Sequence, residues 1–448
     1  MTMNKGVLSS GAVIFVALSG PALAGGFAIP EQSATFLGTS FAGAAAGGDL
    51  SAMYWNPAAL VTVPGTQVEV SITDGKQSSN IQALPGTSPI LLVDPSISAT
   101  SGNIFPNAVI PAFYLSHQIS PNLYVGLGVN SPFGSSTHPD NRNWAGFASS
   151  TSSSIATYDL NPTIAYRITP QLSVGVGAQI QYMSANLRNA QVLGGPPLAS
   201  APDVTLTGLE HWAAGFTAGV HWQPTPMTQI GFGYRSGIKE NLNGEFTFAG
   251  SNPLTSGAVL TSVPINLPAI ATASVRQDLT PTFAVLGTAQ WTQWSNLQNL
   301  NATCQSTSSI PIVPCSTGQL LETLPFHWHD GWFFSAGAEQ KLSPELLLRA
   351  GFAYEKSPVQ SADENQVNIL DSDRYWLSTG VQYKINRMMT ADLSYAHVFL
   401  KDGMVVQTNP GPPSLTIIGA TQRSADVVAV SLKLQLDAPP APAPKIIK

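Results

Sequence analysis

Along most of the chain apolar and polar residues alternate one by one, the period of a strand whose side chains point to opposite faces. Leu172, Val174, Val176, Ala178, Ile180 and Tyr182 occupy one face of such a stretch, with Ser173, Gly175, Gly177, Gln179 and Gln181 on the other. Leu123, Val125, Leu127 and Val129 repeat it, as do Leu346, Leu348, Ala350, Phe352 and Tyr354, and Val428, Val430, Leu432, Leu434 and Leu436. Fourteen strands are predicted, starting near residues 65, 109, 122, 155, 171, 209, 227, 263, 282, 325, 345, 373, 388 and 423. The links between them alternate in length. Tight ones fall at Ser120-Pro121-Asn122, Thr169-Pro170-Gln171, Pro224-Thr225-Pro226, Thr280-Pro281, Ser343-Pro344-Glu345 and Asn386-Arg387, and each intervening link is long and rich in Gly, Ser, Pro and Asn. A soluble sandwich yields the alternation without that rhythm, whereas short turns at one end and long loops at the other are the habit of an outer-membrane barrel. The pattern predicts an all-β fold: a 14-stranded antiparallel transmembrane β-barrel over residues 65–436, with both chain ends of the barrel in the periplasm.

Charged residues make up 10% of the chain, against about 25% in soluble domains, which suits a wall facing lipid. Residues 1–24 read as a secretory signal, with Lys5 as the charge, Val7 to Leu18 as the apolar core and Ala22-Leu23-Ala24 as the small-residue cleavage site. No later apolar run approaches the roughly 20 residues of a spanning helix. The net charge of −6, without a basic cluster, argues against nucleic acid as a partner. Cys304 and Cys315 share one long loop; in an oxidising compartment they are expected to be bridged, worth about 3 kcal/mol in the chain-entropy model, with two free thiols as the alternative. Trp212, Trp222, Trp291, Trp294, Trp328, Trp332, Tyr354, Tyr375 and Tyr383 stand near strand ends, where interfacial girdles are expected. Inward positions carry Arg167, Arg235, Glu339, Arg349, Lys384 and Lys433, expected to pair with the wall or with whatever fills the bore.

Catalytic chemistry is not indicated. No nucleophile stands at a hydrolase-like spacing from a base, and no cofactor-binding loop occurs. His327-Trp328-His329-Asp330 places two histidines on one face of a predicted strand but lacks a third ligand, so no metal site is expected and a girdle position is the reading.

Residues 25–64 do not read as strand. Phe41-Ala42-Gly43-Ala44-Ala45-Ala46-Gly47-Gly48 is small and apolar, and Tyr54-Trp55-Asn56-Pro57-Ala58-Ala59-Leu60 follows. Fourteen strands enclose a wide bore, and the economical place for this segment is inside it, as a plug; a disordered periplasmic extension is the alternative. Pro132 lacks an N–H, so the third strand is expected to kink at Ser131-Pro132-Phe133-Gly134. Leu187, Val192, Leu193, Leu198, Val204, Leu206 and Leu209, then Phe246, Phe248, Leu254, Val259, Leu260 and Val263, give two outer loops an unusual apolar content.

Gly26-Phe27, Ser33, Gly38, Asp49 and Asn56-Pro57-Ala58 together resemble the N-terminal hatch of the FadL family of outer-membrane transporters. The likeness continues through Asn130-Ser131-Pro132-Phe133-Gly134, Asn161-Pro162-Thr163-Ile164-Ala165-Tyr166-Arg167, Leu172-Ser173-Val174-Gly175-Val176-Gly177, Asp330-Gly331-Trp332, Glu355-Lys356-Ser357-Pro358-Val359 and Asp373-Arg374-Tyr375-Trp376-Leu377-Ser378, nearly the whole mature chain. The resemblance implies a monomeric channel in the bacterial outer membrane for passive uptake of hydrophobic compounds such as long-chain fatty acids. Apolar outer loops would capture the solute; Phe27 and Ile29 would line a lumen pocket, with Arg188 as a candidate for a carboxylate. Release would be lateral, through a gap held by Asn56, Pro57 and Ala58 touching Ser131 to Gly134. Aromatic or aliphatic hydrocarbons carried in the same way, or a general diffusion porin, are the alternatives. Implied partners are outer-membrane lipid and lipopolysaccharide, the barrel assembly machinery and the hydrophobic solute. One departure is the end of the chain: family members tend to finish on an aromatic residue, whereas residues 437–448 form a Pro/Ala-rich tail, expected to extend into the periplasm.

Overall fold

The computed structural model describes residues 25–191, 203–249, 256–311, 313–409 and 414–437. The secretory signal, the tail beyond Asp437, and Val192, Leu193, Leu198 and Leu254 lie outside the described residues. Fourteen wall strands follow one another as antiparallel neighbours. The first six are β1 (Thr66–Ala83), β2 (Ala108–Gln118), β3 (Leu123–Asn130, resuming at Gly134–Thr137), β4 (Ser152–Arg167), β5 (Leu172–Ala190) and β6 (Asp203–Thr225). Next come β7 (Thr228–Arg235 and Ile238–Ala249), β8 (Ser256–Leu267 and Ile270–Asp278), β9 (Phe283–Thr292 and Asn299–Cys304) and β10 (Leu320–Pro325 and Gly331–Lys341). The last are β11 (Leu346–Lys356), β12 (Arg374–Lys384), β13 (Met389–Leu400 and Gly403–Asn409) and β14 (Leu415–Gln435). β1 pairs with β2 on one side and β14 on the other, Gln67 opposite Gln435 and Ala83 opposite Gly419, which closes the cylinder.

All six tight turns occur where Pro, Asn and Ser were expected to set them, for example residues 119–122 between β2 and β3 and 226–227 between β6 and β7. At the other end several strands run further than the periodicity suggested: β6 starts at Asp203, β8 at Ser256 and β14 at Leu415. Outward positions there include Thr416, Gln422 and Ser424, so the sheet continues where the apolar alternation has already stopped. In consequence Leu187, Leu206, Leu209, Phe246, Phe248 and Val263, expected in loops, belong to β5 through β8. Cys304 and Cys315 are joined, tying the end of β9 to the loop before β10.

Burial is inverted relative to a soluble domain. Val70 and Ile72 of β1 are 41% and 46% exposed, while Glu69, Ser71 and Thr73 between them are buried. In β5, Val176 is exposed and Gln179 and Gln181 are buried. The large apolar residues thus form an outer band that only lipid can cover. Trp212, Trp222, Trp332, Tyr375 and Tyr383 are exposed on it, as girdle residues should be. Trp294 and Trp328 are not; both are buried inside, which removes them from the girdle. No described helix is long and apolar enough to cross a membrane.

Candidate functional site

The segment before β1 folds as short helical pieces broken by glycines: a turn at Ala34–Leu37 and 3-10 turns at Ala44–Ala46, Leu50–Tyr54 and Pro57–Thr62. Polar side chains start three of them. Ser33 accepts from the Phe36 N–H, Asp49 from the Ser51 N–H and Asn56 from the Ala58 N–H, satisfying donors that have no helical partner. The pieces pack against inward faces of β1, β3 to β8 and β12 to β14, which places them within the bore. Two wall glycines show how tight the fit is. A Cβ on Gly231 of β7 would lie 1.7 Å from the Ala45 carbonyl oxygen, and one on Gly351 of β11 would lie 2.0 Å from the Thr39 carbonyl carbon. Ser40 and Phe41 adopt left-handed backbone (φ 48° and 62°), a conformation costing about 1 kcal/mol or more per residue. They are held there by a Ser40–Ser378 hydroxyl bond of 2.8 Å and by the Phe41 ring against Trp55, Phe333 and Trp376.

Charges bind the segment to the wall in one continuous run. Lys433 of β14 meets Asp49 of the segment and, at 2.9 Å, Asp392 of β13. Asp392 meets Arg349 at 2.6 Å, Arg349 meets Glu339 at 2.9 Å, and Glu339 meets Arg276 at 2.5 Å. Lys433 overcomes the burial that by itself would raise Asp49 and holds its carboxyl down at about 2. Elsewhere Arg235 pairs with Asp159 at 2.6 Å, donates to the Tyr54 carbonyl and covers the Tyr54 ring, and Arg167 donates to the Val61 carbonyl at 2.7 Å. Of the six inward charges expected from sequence, Lys384 alone is exposed, at the periplasmic end of β12. Glu31 is different again: both carboxyl oxygens are buried without a hydrogen-bond partner among the described residues, and burial pushes it up to about 8.

The third strand does break at Pro132. β3 stops at Asn130 and resumes at Gly134, and the chain's own start fills the place. The Ile29 N–H donates to the Pro132 carbonyl at 2.9 Å and the Gly134 N–H donates to the Phe27 carbonyl at 2.8 Å. Gln32 adds a second clasp: its amide nitrogen donates to the Ser131 carbonyl at 2.8 Å, while its oxygen accepts from the Ser131 N–H and the Asn130 amide. Asn56, Pro57 and Ala58 lie elsewhere. Asn56 donates to the Ala45 and Val220 carbonyls, and a Cβ on Gly175 would meet Ala58. The expected contact between the Asn-Pro-Ala turn and the kink is therefore corrected: β5 and β6 receive the turn, and residues 27–32 hold the break.

Around Phe27 the rings of Phe133, Trp294 and Trp328 come within 6.1 Å, and Phe326 joins them through Trp328 at 5.1 Å. Trp294 lines a cavity shared with Ile29, Phe41 and Trp55. Phe326 lines a second, whose walls are Leu187, Leu206, Leu209, Leu242 and Val263. Phe246 and Phe248 are buried in the same apolar cluster. The ring cluster thus stands between an apolar outward chamber and a mixed one against the segment, where Arg235, Gln290 and Glu355 join the apolar side chains. Arg188 is exposed, on the strand face opposite Leu187, which turns it away from both chambers. Residues 326–330 are loop rather than strand, His327 has φ 53°, and His329 faces Glu364 at 3.4 Å; the described residues contain no metal-binding cluster. The buried ring cluster at Trp294 and Trp328 escaped sequence reading, because a tryptophan near a strand end looks the same whether it faces lipid or bore.

A closed lipid-facing barrel whose bore holds its own N-terminal segment, with an apolar outer chamber and a break in the wall, is a membrane channel for apolar solutes. The chain matches the family described as Outer membrane protein transport protein (OMPP1/FadL/TodX) over residues 15–436, and it belongs to that family. It is 26% identical over 415 residues to Outer membrane protein P1 of Haemophilus influenzae, covering 85% of this chain and 87% of that one. It is likewise 26% identical over 440 residues to the long-chain fatty acid transport protein of Escherichia coli K12, covering 90% and 93%. A FadL homologue from Pseudomonas aeruginosa superposes with a TM-score of 0.79 at 21% identity, over 92% of this chain and 100% of that one. The Pseudomonas putida toluene transporter TodX superposes at 0.63 with 16% identity, over 87% and 95%. The protein resides in the bacterial outer membrane and is a transporter of hydrophobic compounds, not an enzyme.

Proposed function

We propose that the protein carries long aliphatic molecules, long-chain fatty acids foremost, from the cell exterior into the outer membrane by lateral release. The solute enters the outer chamber, passes the Phe326–Trp328–Trp294 rings and settles beside Phe27 and Ile29 above the hatch formed by residues 25–64. It leaves sideways where β3 is broken. The carrying observation is that break: a proline removes one ladder donor, and the vacancy is filled by Phe27 to Ile29 rather than by wall. A small pocket lined by Ile29, Val109, Phe133 and Tyr158 lies at that place. Each methylene moved from water into such walls gains about 0.8 kcal/mol, so half of a long acyl chain supplies several kcal/mol without a polar contact. The names of relatives, a long-chain fatty acid transport protein among them, support this reading.

The ring cluster also favours a second reading, in which aromatic hydrocarbons are the cargo; rings stack on rings, and TodX is titled a toluene transporter. Growth of a deletion strain on oleate, hexadecane or toluene separates the two. The lateral path is tested by Gly134→Leu, with uptake of labelled oleate measured in intact cells. Uptake should fall by about tenfold; unchanged uptake at normal surface expression excludes the side exit.

A further inference from the structure

Directly after the proposed cleavage site the first two described residues reach for acids. The Gly25 nitrogen lies 2.6 Å from Glu355 Oε1, and the Gly26 N–H donates to Asp371 Oδ2 at 2.9 Å. Glu355 and Asp371 share a single guanidinium, Arg374, which approaches Glu355 at 3.7 Å and also pairs with Asp371. The Trp376 indole N–H donates to Glu355 and the Ser357 hydroxyl to Asp371, both neutral donors. Among the described residues the two buried carboxylates thus share one cation, and burying an acid without a full counter-charge is costly. The contact, at 2.6 Å, falls below the roughly 2.7–2.9 Å of charge-assisted N–H···O bonds. A Cβ on Gly25 would sit 2.8 Å from Glu355 Oε1, so a larger residue fits only if that side chain moves. Gly25 and Glu355 also face the chamber against the segment.

We infer that removal of the signal creates a functional group: the α-ammonium of Gly25 docks on Glu355 and seats the segment that closes the break in β3. A signal peptidase supplies the reaction. Water adds to the Ala24 carbonyl, the Ala24–Gly25 C–N bond breaks, Ala24 leaves as a carboxylate, and the released amine takes a proton. One neutral donor becomes a cation with three, and Glu355 and Asp371 then face two cations instead of one. The step links processing to order, because Gly25 is two residues from Phe27, whose carbonyl accepts from Gly134 across the break. In a precursor still carrying its signal the same nitrogen is an uncharged amide, so the hatch start is held more weakly until cleavage.

The test uses the full-length protein purified from outer membranes, with folding followed by heat-modifiable gel mobility. Intact mass should place the mature terminus at Gly25. Reductive methylation of that amine, read on the N-terminal peptide, should proceed about tenfold more slowly in the folded barrel than in urea, the change expected of a one-unit shift. Glu355→Gln should remove the protection. An insertion of two alanines between Ala24 and Gly25 should remove it too, with Glu355 intact, and decides the matter if the glutamine variant does not fold. A mature chain starting elsewhere, a folded amine reacting at the unfolded rate, or protection retained in both variants overturns the inference. None of these readouts depends on transport.

Discussion

The wall and the segment it encloses both keep their backbone away from bulk water, and they satisfy it by opposite means. In the wall each strand bonds its neighbour in a register that continues for up to the length of a strand, as between Gln67–Ala83 and Gln435–Gly419. In the segment the bonds are individual: Ser33, Asp49 and Asn56 cap turns, Ser274 and Thr288 of the wall accept from the N–H groups of Ala45 and Gly43, and Lys433 meets Asp49. A ladder depends on period-two alternation and forgives most single changes. A network of separate side chains does not. The wall should therefore be tolerant on its lipid face and the bore intolerant at each contact.

The sharpest way to break that comparison is a pair of neighbours. Gly231→Val puts methyl groups where Ala45 already stands, so the hatch should lose its seat and single-channel conductance in planar bilayers should rise from near zero to a steady current. Ile230→Val, one residue away on the lipid face, should leave conductance and melting unchanged to within about 0.5 kcal/mol. Equal behaviour of the two variants would dissolve the distinction. Next in size is Lys433→Met, which removes the ion-pair partner of Asp49 while Asp392 keeps Arg349; the expected loss is about 3 kcal/mol, the lower end for breaking a buried pair, read as a lowered thermal midpoint.

A smaller effect should appear with pH. Asp49 is held at about 2, below its ordinary range, so the stability it contributes is complete above about pH 4 and lost as pH falls through about 2. Glu31 runs the other way. Its carboxyl is raised to about 8 by burial, so its contribution is complete below the ordinary carboxyl range and lost as pH rises through about 8. Limited proteolysis of the segment should show greatest protection at about pH 4 with loss on both sides, and Glu31→Gln should flatten the alkaline side alone. The smallest effect on the hatch is expected from Cys304→Ser, which loosens one outer loop and should leave conductance untouched.

Much of the wall was legible in the sequence because period two and proline turns are local properties. The break at Pro132 was legible for the same reason, since a missing N–H is a fact about one residue. The partner of that break was not. Phe27 to Gln32 hold it, while Asn56-Pro57-Ala58 rest on β5 and β6, and no spacing along the chain tells which part of an irregular segment will face which strand. Trp294 and Trp328 failed to be read for a related reason: their direction depends on loops that periodicity does not describe. A signal was present in the glycines. Gly231, Gly233 and Gly351 replace side chains on the inward face, and a bare backbone there announces that another backbone comes close.

Because Lys433 lies on β14 and Asp49 in the opening segment, 384 residues earlier, the order of synthesis separates the two halves of the anchor as far as the chain allows. The segment also runs straight into β1, one edge of the seam that β14 closes. Pairing with β1 and pairing with Asp49 thus fall to the same strand, so a barrel lacking β14 would display an open edge and an unpaired acid together. The strand that closes the wall is also the one that anchors its contents.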